Sequence, residues 1–154
     1  MDFPDIRSLL PHSRTMVLLD RVVAADADSL CAEVAIRPDS LFCNADGVGA
    51  WVGIEYMAQA IAAYAGYLAR LRGEAVKVGF LLGSRRYECS GPNFALGSIL
   101  RVRIERVLQG ENGLGSFECR IDALGTEPGM ALATATVTVF QPANVNDFLE
   151  GVSA

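Results

Sequence analysis

Apolar and polar positions alternate over several stretches of this chain and fail to alternate over one. From Leu30 the pattern puts Leu30, Ala32, Val34 and Ile36 on one side and Cys31, Glu33, Ala35 and Arg37 on the other, the signature of a half-buried strand. The same period sets Leu100, Val102 and Ile104 against Arg101, Arg103 and Glu105, and Phe117, Cys119 and Ile121 against Glu118, Arg120 and Asp122. Apolar runs over Met16–Val23, Lys77–Cys89 and Met130–Phe140 predict further strands. Turn chemistry at 26–29, 109–113 and 125–129 separates neighbouring runs, so consecutive strands are expected to pair antiparallel, the first two as a hairpin.

The exception is Val48–Arg72. Between Val48 and Ala69 the strongly polar side chains are Glu55 and Gln59, so a helix here is apolar on nearly every face and has to be buried on nearly every face. At 1.5 Å per residue it would be roughly 33 Å long, enough to cross a small domain. It is also long enough to cross a bilayer. Its apolarity, however, comes largely from Ala and Gly, and Glu55 would be costly in hydrocarbon, so no membrane span is expected. Residues 38–49 read as a loop, with Asn44 or Asp46 as N-cap candidates, and Gly73 follows the cations Arg70 and Arg72 as a C-terminal stop.

One long helix in a chain otherwise made of about six strands is satisfied when an antiparallel sheet curls around it. Ala58, Ala60, Ala62, Ala63, Ala65 and Gly66 are small enough to let the sheet approach. The expectation is an α+β hotdog fold, a single domain over 1–154, with a short helix near 1–10 and a loosely ordered tail over 141–154. Two such sheets joined edge to edge would cover an exposed edge strand, so at least a dimer is expected.

Composition narrows the function. A net charge of −5 argues against a nucleic-acid binder, whose affinity comes from neutralising phosphates. The first residues, MDFPDIRSLL, carry acids where an export signal needs bases, and a cytoplasmic location is expected. Cys31, Cys43, Cys89 and Cys119 form no C-x-x-C pair, which implies reduced thiols and neither a metal nor a cofactor site. His12 is the one histidine of the chain.

Three stretches carry a resemblance. LPHSRTMVLLDRV (10–22) looks like the LPHRxPfLLvDRV signature of the hotdog 3-hydroxyacyl-[acyl-carrier-protein] dehydratases, and GIEYMAQ (53–59) resembles their central-helix IEAxAQ motif. VGFLLGSRRY (78–87) is similar to the strand that ends in Arg-Phe in that family, and Pro92–Leu100 loosely fits its following turn. The GIEYxAQA version most resembles the dehydratase-like proteins of aryl polyene lipid pathways. The resemblance implies an acyl thioester substrate on acyl carrier protein, and a homodimer or a heterodimer with another hotdog subunit. In such chemistry a histidine removes the proton beside the thioester carbonyl and a carboxylic acid protonates the leaving hydroxyl, while helix N-terminal amides hold the carbonyl oxygen.

Glu55 matches the carboxylate by motif, and a carboxyl among apolar groups is favoured in the protonated form that role requires. The histidine departs from the pattern. Aligned without a gap, the family's GHFPxxPVMPG falls on SLFCNADGVGA (40–50), so Leu41 stands where the imidazole belongs, Phe42 keeps the phenylalanine, and Ala50 replaces the oxyanion-hole glycine while keeping its N–H. His12 is the candidate replacement base, although its place in the LPH signature is separate from the catalytic histidine and its bland role is structural. Substrate contacts are expected at Phe42, Gly49, Ala50 and Gln59, with Gln59 one turn beyond Glu55 and equally suited to orienting it. Arg101 and Arg103 are a solvated strand face or, with Arg85 and Arg86, a steering patch for an acidic carrier, and the bland role of Glu55 is a buried acid paired with a backbone amide or with Arg85 or Arg86. Three readings follow: a dehydratase using Glu55 and His12, a half-site subunit that lends Glu55 to a partner's histidine, and a thioesterase using Glu55 to activate water.

Overall fold

The computed structural model describes residues 3–9, 17–74, 80–110, 112–125 and 130–140. His12 and the tail 141–154 lie outside the described residues. The chain opens with one helical turn, α1 (Ile6–Leu9), followed by β1 (Arg21–Ala25) and β2 (Ser29–Ala35). Two short strands, β3 (Cys43–Asn44) and β4 (Gly47–Gly49), lead through a 3₁₀ turn (Ala50–Val52) into the long helix α2 (Gly53–Leu71). The remainder is β5 (Phe80–Cys89), β6 (Asn93–Phe94), β7 (Ile99–Gln109), β8 (Leu114–Ala123) and β9 (Ala133–Phe140).

Six strands form one antiparallel sheet in the order β1-β2-β7-β8-β9-β5, and β3-β4-β6 form a small second sheet. The inward residues are those the alternation selects. Leu30, Ala32 and Val34 of β2, Leu100, Val102 and Ile104 of β7, Phe117, Cys119 and Ile121 of β8, and Ala133, Ala135 and Val137 of β9 are all buried. They meet Met57, Ala60, Ile61, Ala63 and Tyr64 of α2 in one core, which is the hotdog arrangement. Among the described residues no helix is long and apolar enough to cross a membrane, and no group of His, Cys, Asp and Glu has the makings of a metal site.

Four expectations are corrected. The long helix starts at Gly53 rather than near Val48, because Val48 pairs with Cys43 and Phe94 in the small sheet. β5 does not pair with its sequence neighbour β7 but lies beyond β9 at the far edge, in register Ser84↔Val137. Nor is α2 buried all round, since Ile54, Glu55, Ala58, Ala62 and Ala65 share a half-buried stripe. Gly66 serves a different contact from the one expected. A Cβ there would collide with the Leu9 carbonyl, so this glycine is what lets α1, rather than the sheet, close on α2.

Beside the sheet's β1 edge, Glu33 points to the outer face and is nevertheless buried. Arg21 donates Nε and Nη2 to its Oε1 at 3.1 and 3.0 Å, and Arg101 donates the same pair of nitrogens to Oε2 at 3.0 and 2.9 Å. Burial works against the charged carboxyl, and the Arg101 and Arg21 guanidiniums overcome it, holding its pKa below the usual glutamate value.

Candidate active site

The site is built where the small sheet hands the chain to α2. Glu55 sits in the first turn of α2, half-buried. One turn on, Gln59 is 0% exposed and bridges two elements. Its Nε2 donates to Glu55 Oε1 at 3.2 Å, and its Oε1 accepts the Leu18 N–H at 2.8 Å. Gln59 therefore orients the carboxyl and ties the approach to β1 onto the helix. A buried amide with both ends engaged is a positioning group.

Leu41 lies on the loop between β2 and β3. Ser40 N–H donates to the Arg37 carbonyl, and Cys43 N–H donates to the Ser40 carbonyl, closing a turn around Leu41 and Phe42. Phe42 adopts φ +67°, a left-handed conformation that a bulky residue rarely takes. Its ring lies 5.3 Å from that of Trp51 at an interplanar angle of 63°. Leu41, Phe42 and Trp51 are 43%, 46% and 68% exposed, so the mouth of the site carries an open apolar lip.

A cavity of about 260 Å³ beside Leu41 is lined by Leu18, Asp20, Arg37 and Tyr56, and Glu55 is not among its lining residues. Tyr56 lines this cavity, and Leu18, another lining residue, is tied through Gln59 to Glu55. A larger open cleft of about 790 Å³ runs between α1 and β1, away from Glu55.

Gly49 and Ala50 sit where the resemblance puts them, at the head of the helix. The small sheet continues past its last rung. Val48 pairs with Phe94 and Gly49 with Asn93, and then the Ala50 N–H donates to the Pro92 carbonyl at 2.9 Å. On the other side the Ala50 carbonyl accepts from the Gly53 N–H and from the Tyr87 hydroxyl. Burial pushes the Tyr87 phenol up to about 12, so it stays protonated and donates at neutral pH. Tyr87 and Pro92 lie in the two stretches that resemble the family's strand and following turn, but the resemblance gives neither a role at Ala50. The available signal is Gly53, where a Cβ would collide with the Tyr87 hydroxyl.

The arginines do not make one patch. Arg101 and Arg103 are on β7, whereas Arg85 and Arg86 are on β5, three strand spacings or about 14 Å across the sheet. Arg86 has φ +53° within the bulge between Arg85 and Glu88, which turns the edge strand and leaves Arg85 and Arg86 exposed beside Tyr87.

Known proteins match this fold. A solved structure described as the dehydratase heterocomplex ApeI:P from Xenorhabdus doucetiae is 34% identical, covers 99% of this chain and 100% of its own, and superposes with a TM-score of 0.88. A hypothetical thioesterase with coenzyme A from Streptococcus pneumoniae (16% identity, 79% of this chain and 84% of that one, TM-score 0.60) shares the fold. So does zebra fish thioesterase superfamily member 2 (10% identity, 90% and 93%, TM-score 0.66). Among curated proteins none matches the chain. The family model described as ApeP-like, ApeP dehydratase, matches residues 4–150. With the hotdog sheet, the Glu55–Gln59 pair on its helix and a family match over nearly its whole length, this chain belongs to the ApeP-like dehydratase family.

Proposed function

We propose that this chain is a subunit of a heteromeric dehydratase that removes water from 3-hydroxyacyl thioesters carried on acyl carrier protein, in a polyene or fatty-acid pathway. Its own contribution is Glu55. The partner's imidazole takes the proton from C2, the C2–C3 double bond forms, and Glu55 protonates the hydroxyl that leaves C3 as water. Gln59 keeps the carboxyl aimed.

The observation that carries this reading is Leu41, 43% exposed where the family's histidine belongs, in a chain that keeps Glu55 hydrogen-bonded to Gln59 on its central helix. Glu55 shares a half-buried helix stripe with Ala58, Ala62 and Ala65, a surface suited to a second hotdog subunit. The resemblance of the whole chain to a structure described as a dehydratase heterocomplex supports the same arrangement.

The test is hydration of a crotonyl thioester by the chain alone and by the chain co-expressed with a hotdog dehydratase encoded beside it. The reading expects an inactive single chain and an active complex of two different subunits. Turnover by the chain alone, abolished by His12→Ala, would instead establish the self-sufficient dehydratase.

A further inference from the structure

Leu41 is not the sole departure from a complete site. We propose that the Ala50 amide is a sealed oxyanion position, so that this chain cannot form a working site around residue 41 even when an imidazole is placed there. The inference rests on the reading of the chain as a Glu55-donating subunit and goes beyond it, because it assigns a second block to Ala50, Pro92 and Tyr87.

An oxyanion donor works when its N–H is aimed at an empty point about 2.7–3.1 Å away, where charge develops on the reacting oxygen. The Ala50 N–H is aimed at an oxygen already there, that of Pro92, at 2.9 Å. A thioester carbonyl would have to displace it. The displaced bond is not a loose loop contact but the continuation of the ladder Val48↔Phe94 and Gly49↔Asn93, so yielding it means shifting β6 and leaving the Pro92 carbonyl without its donor.

The next peptide along the chain is fixed as well. The Ala50 carbonyl is held by the Gly53 N–H and the Tyr87 hydroxyl, and the missing side chain at Gly53 is what lets that phenol in. With the peptides before and after its Cα both hydrogen-bonded, turning the Ala50 N–H toward a substrate means breaking the bond to Pro92 against a fixed neighbour. In a heteromer this leaves one competent site per pair, formed by Glu55 of this chain with an imidazole and an amide from its partner. The residue 41 side of this chain takes no part in the chemistry.

Two measurements on the full chain decide it. The first follows the Ala50 amide by NMR hydrogen exchange in the wild-type protein, with and without saturating crotonyl-pantetheine. The expected result is an amide as slow to exchange as those of the adjoining ladder, with no shift on adding the thioester. Fast exchange, or a thioester-induced shift at Ala50, overturns the proposal. The second is Leu41→His, at an exposed position that tolerates the change. Its crotonyl-pantetheine hydration is expected to stay at least roughly 10²-fold below that of the heteromer, the cost of one missing oxyanion donor. A variant that hydrates at a rate near the heteromer's, and loses it again in Leu41→His/Glu55→Gln, overturns the proposal. The half-site reading fails separately, if Glu55→Gln leaves the wild-type heteromer fully active.

Discussion

Replacing Gln59 by leucine removes the bridge between the helix and the segment entering β1 while keeping a buried apolar side chain of similar length. Two bonds are lost. The Leu18 N–H, held at 2.8 Å, loses its acceptor at a half-buried position, which costs about 1–2 kcal/mol, the lower part of the range for an unsatisfied donor. The 3.2 Å bond to Glu55 contributes less, because a half-buried carboxylate regains water, and about 0.5 kcal/mol is a fair allowance. The sum, about 2 kcal/mol, corresponds to a fall in Tm of roughly 4–8 °C for a chain of this size. Urea unfolding followed by circular dichroism reads it directly, with an unchanged m-value expected. Gln59→Glu is the informative companion. It keeps an acceptor for Leu18 but replaces the donor to Glu55 by a second acceptor, so it reads the Glu55 contact separately from the Leu18 one. If Gln59→Leu matches the wild type within about 0.5 kcal/mol, the bridge holds nothing and its role in aiming Glu55 goes with it.

Other consequences follow from the same structure. Glu33 has a folded pKa below the 4.5 of a free glutamate, so its contribution is complete above pH 4.5 and is lost as the pH falls through the folded value. Glu33→Gln should therefore cost about 1–2 kcal/mol at pH 7, the exposed arginines being partly screened, and should flatten the acid limb of a stability-versus-pH curve. Parallel curves for the two proteins would contradict this. Gly66→Val drives a side chain into the Leu9 carbonyl and should destabilise by about 1–3 kcal/mol, with earlier proteolysis near α1. Wild-type resistance would mean that α1 adjusts freely. Trp51 is the one tryptophan of the chain and is mostly exposed, so its emission should shift to the blue when the partner subunit binds. A spectrum that stays fixed on complex formation would place the partner away from the lip of Leu41, Phe42 and Trp51.

The parts of this fold that repeat themselves were legible, and the parts built by single close approaches were not. The two-residue alternation in Leu30–Ile36 and Leu100–Ile104 chooses the inward face residue by residue, because one face of each strand meets α2 and the other meets solvent. It does not foresee a buried Glu33, whose cover comes from arginines on two neighbouring strands. The apolarity of Val48 fits the start of a helix equally well, whereas Val48 is buried in a sheet of two- and three-residue strands too short to show a period. The distant pairing of β5 with β9 is equally silent, since nothing in a strand's own pattern names its neighbour. For the candidate site, the one-turn spacing of Glu55 and Gln59 foretold that the two side chains meet, as their hydrogen bond shows. The engagement of Ala50 by Pro92 and Tyr87 involves backbone atoms and one phenol, which no side-chain pattern encodes.

The central claim is that this chain gives its carboxyl to a site completed by another subunit. The direct measurement is the hydration rate of a crotonyl thioester by the purified heteromer in which this chain alone carries Glu55→Gln. The account predicts a loss of roughly 10²–10⁴-fold, the range for removing a positioned general acid, with the complex still assembled by size-exclusion chromatography. An assembled Glu55→Gln complex that turns over at the wild-type rate would contradict it.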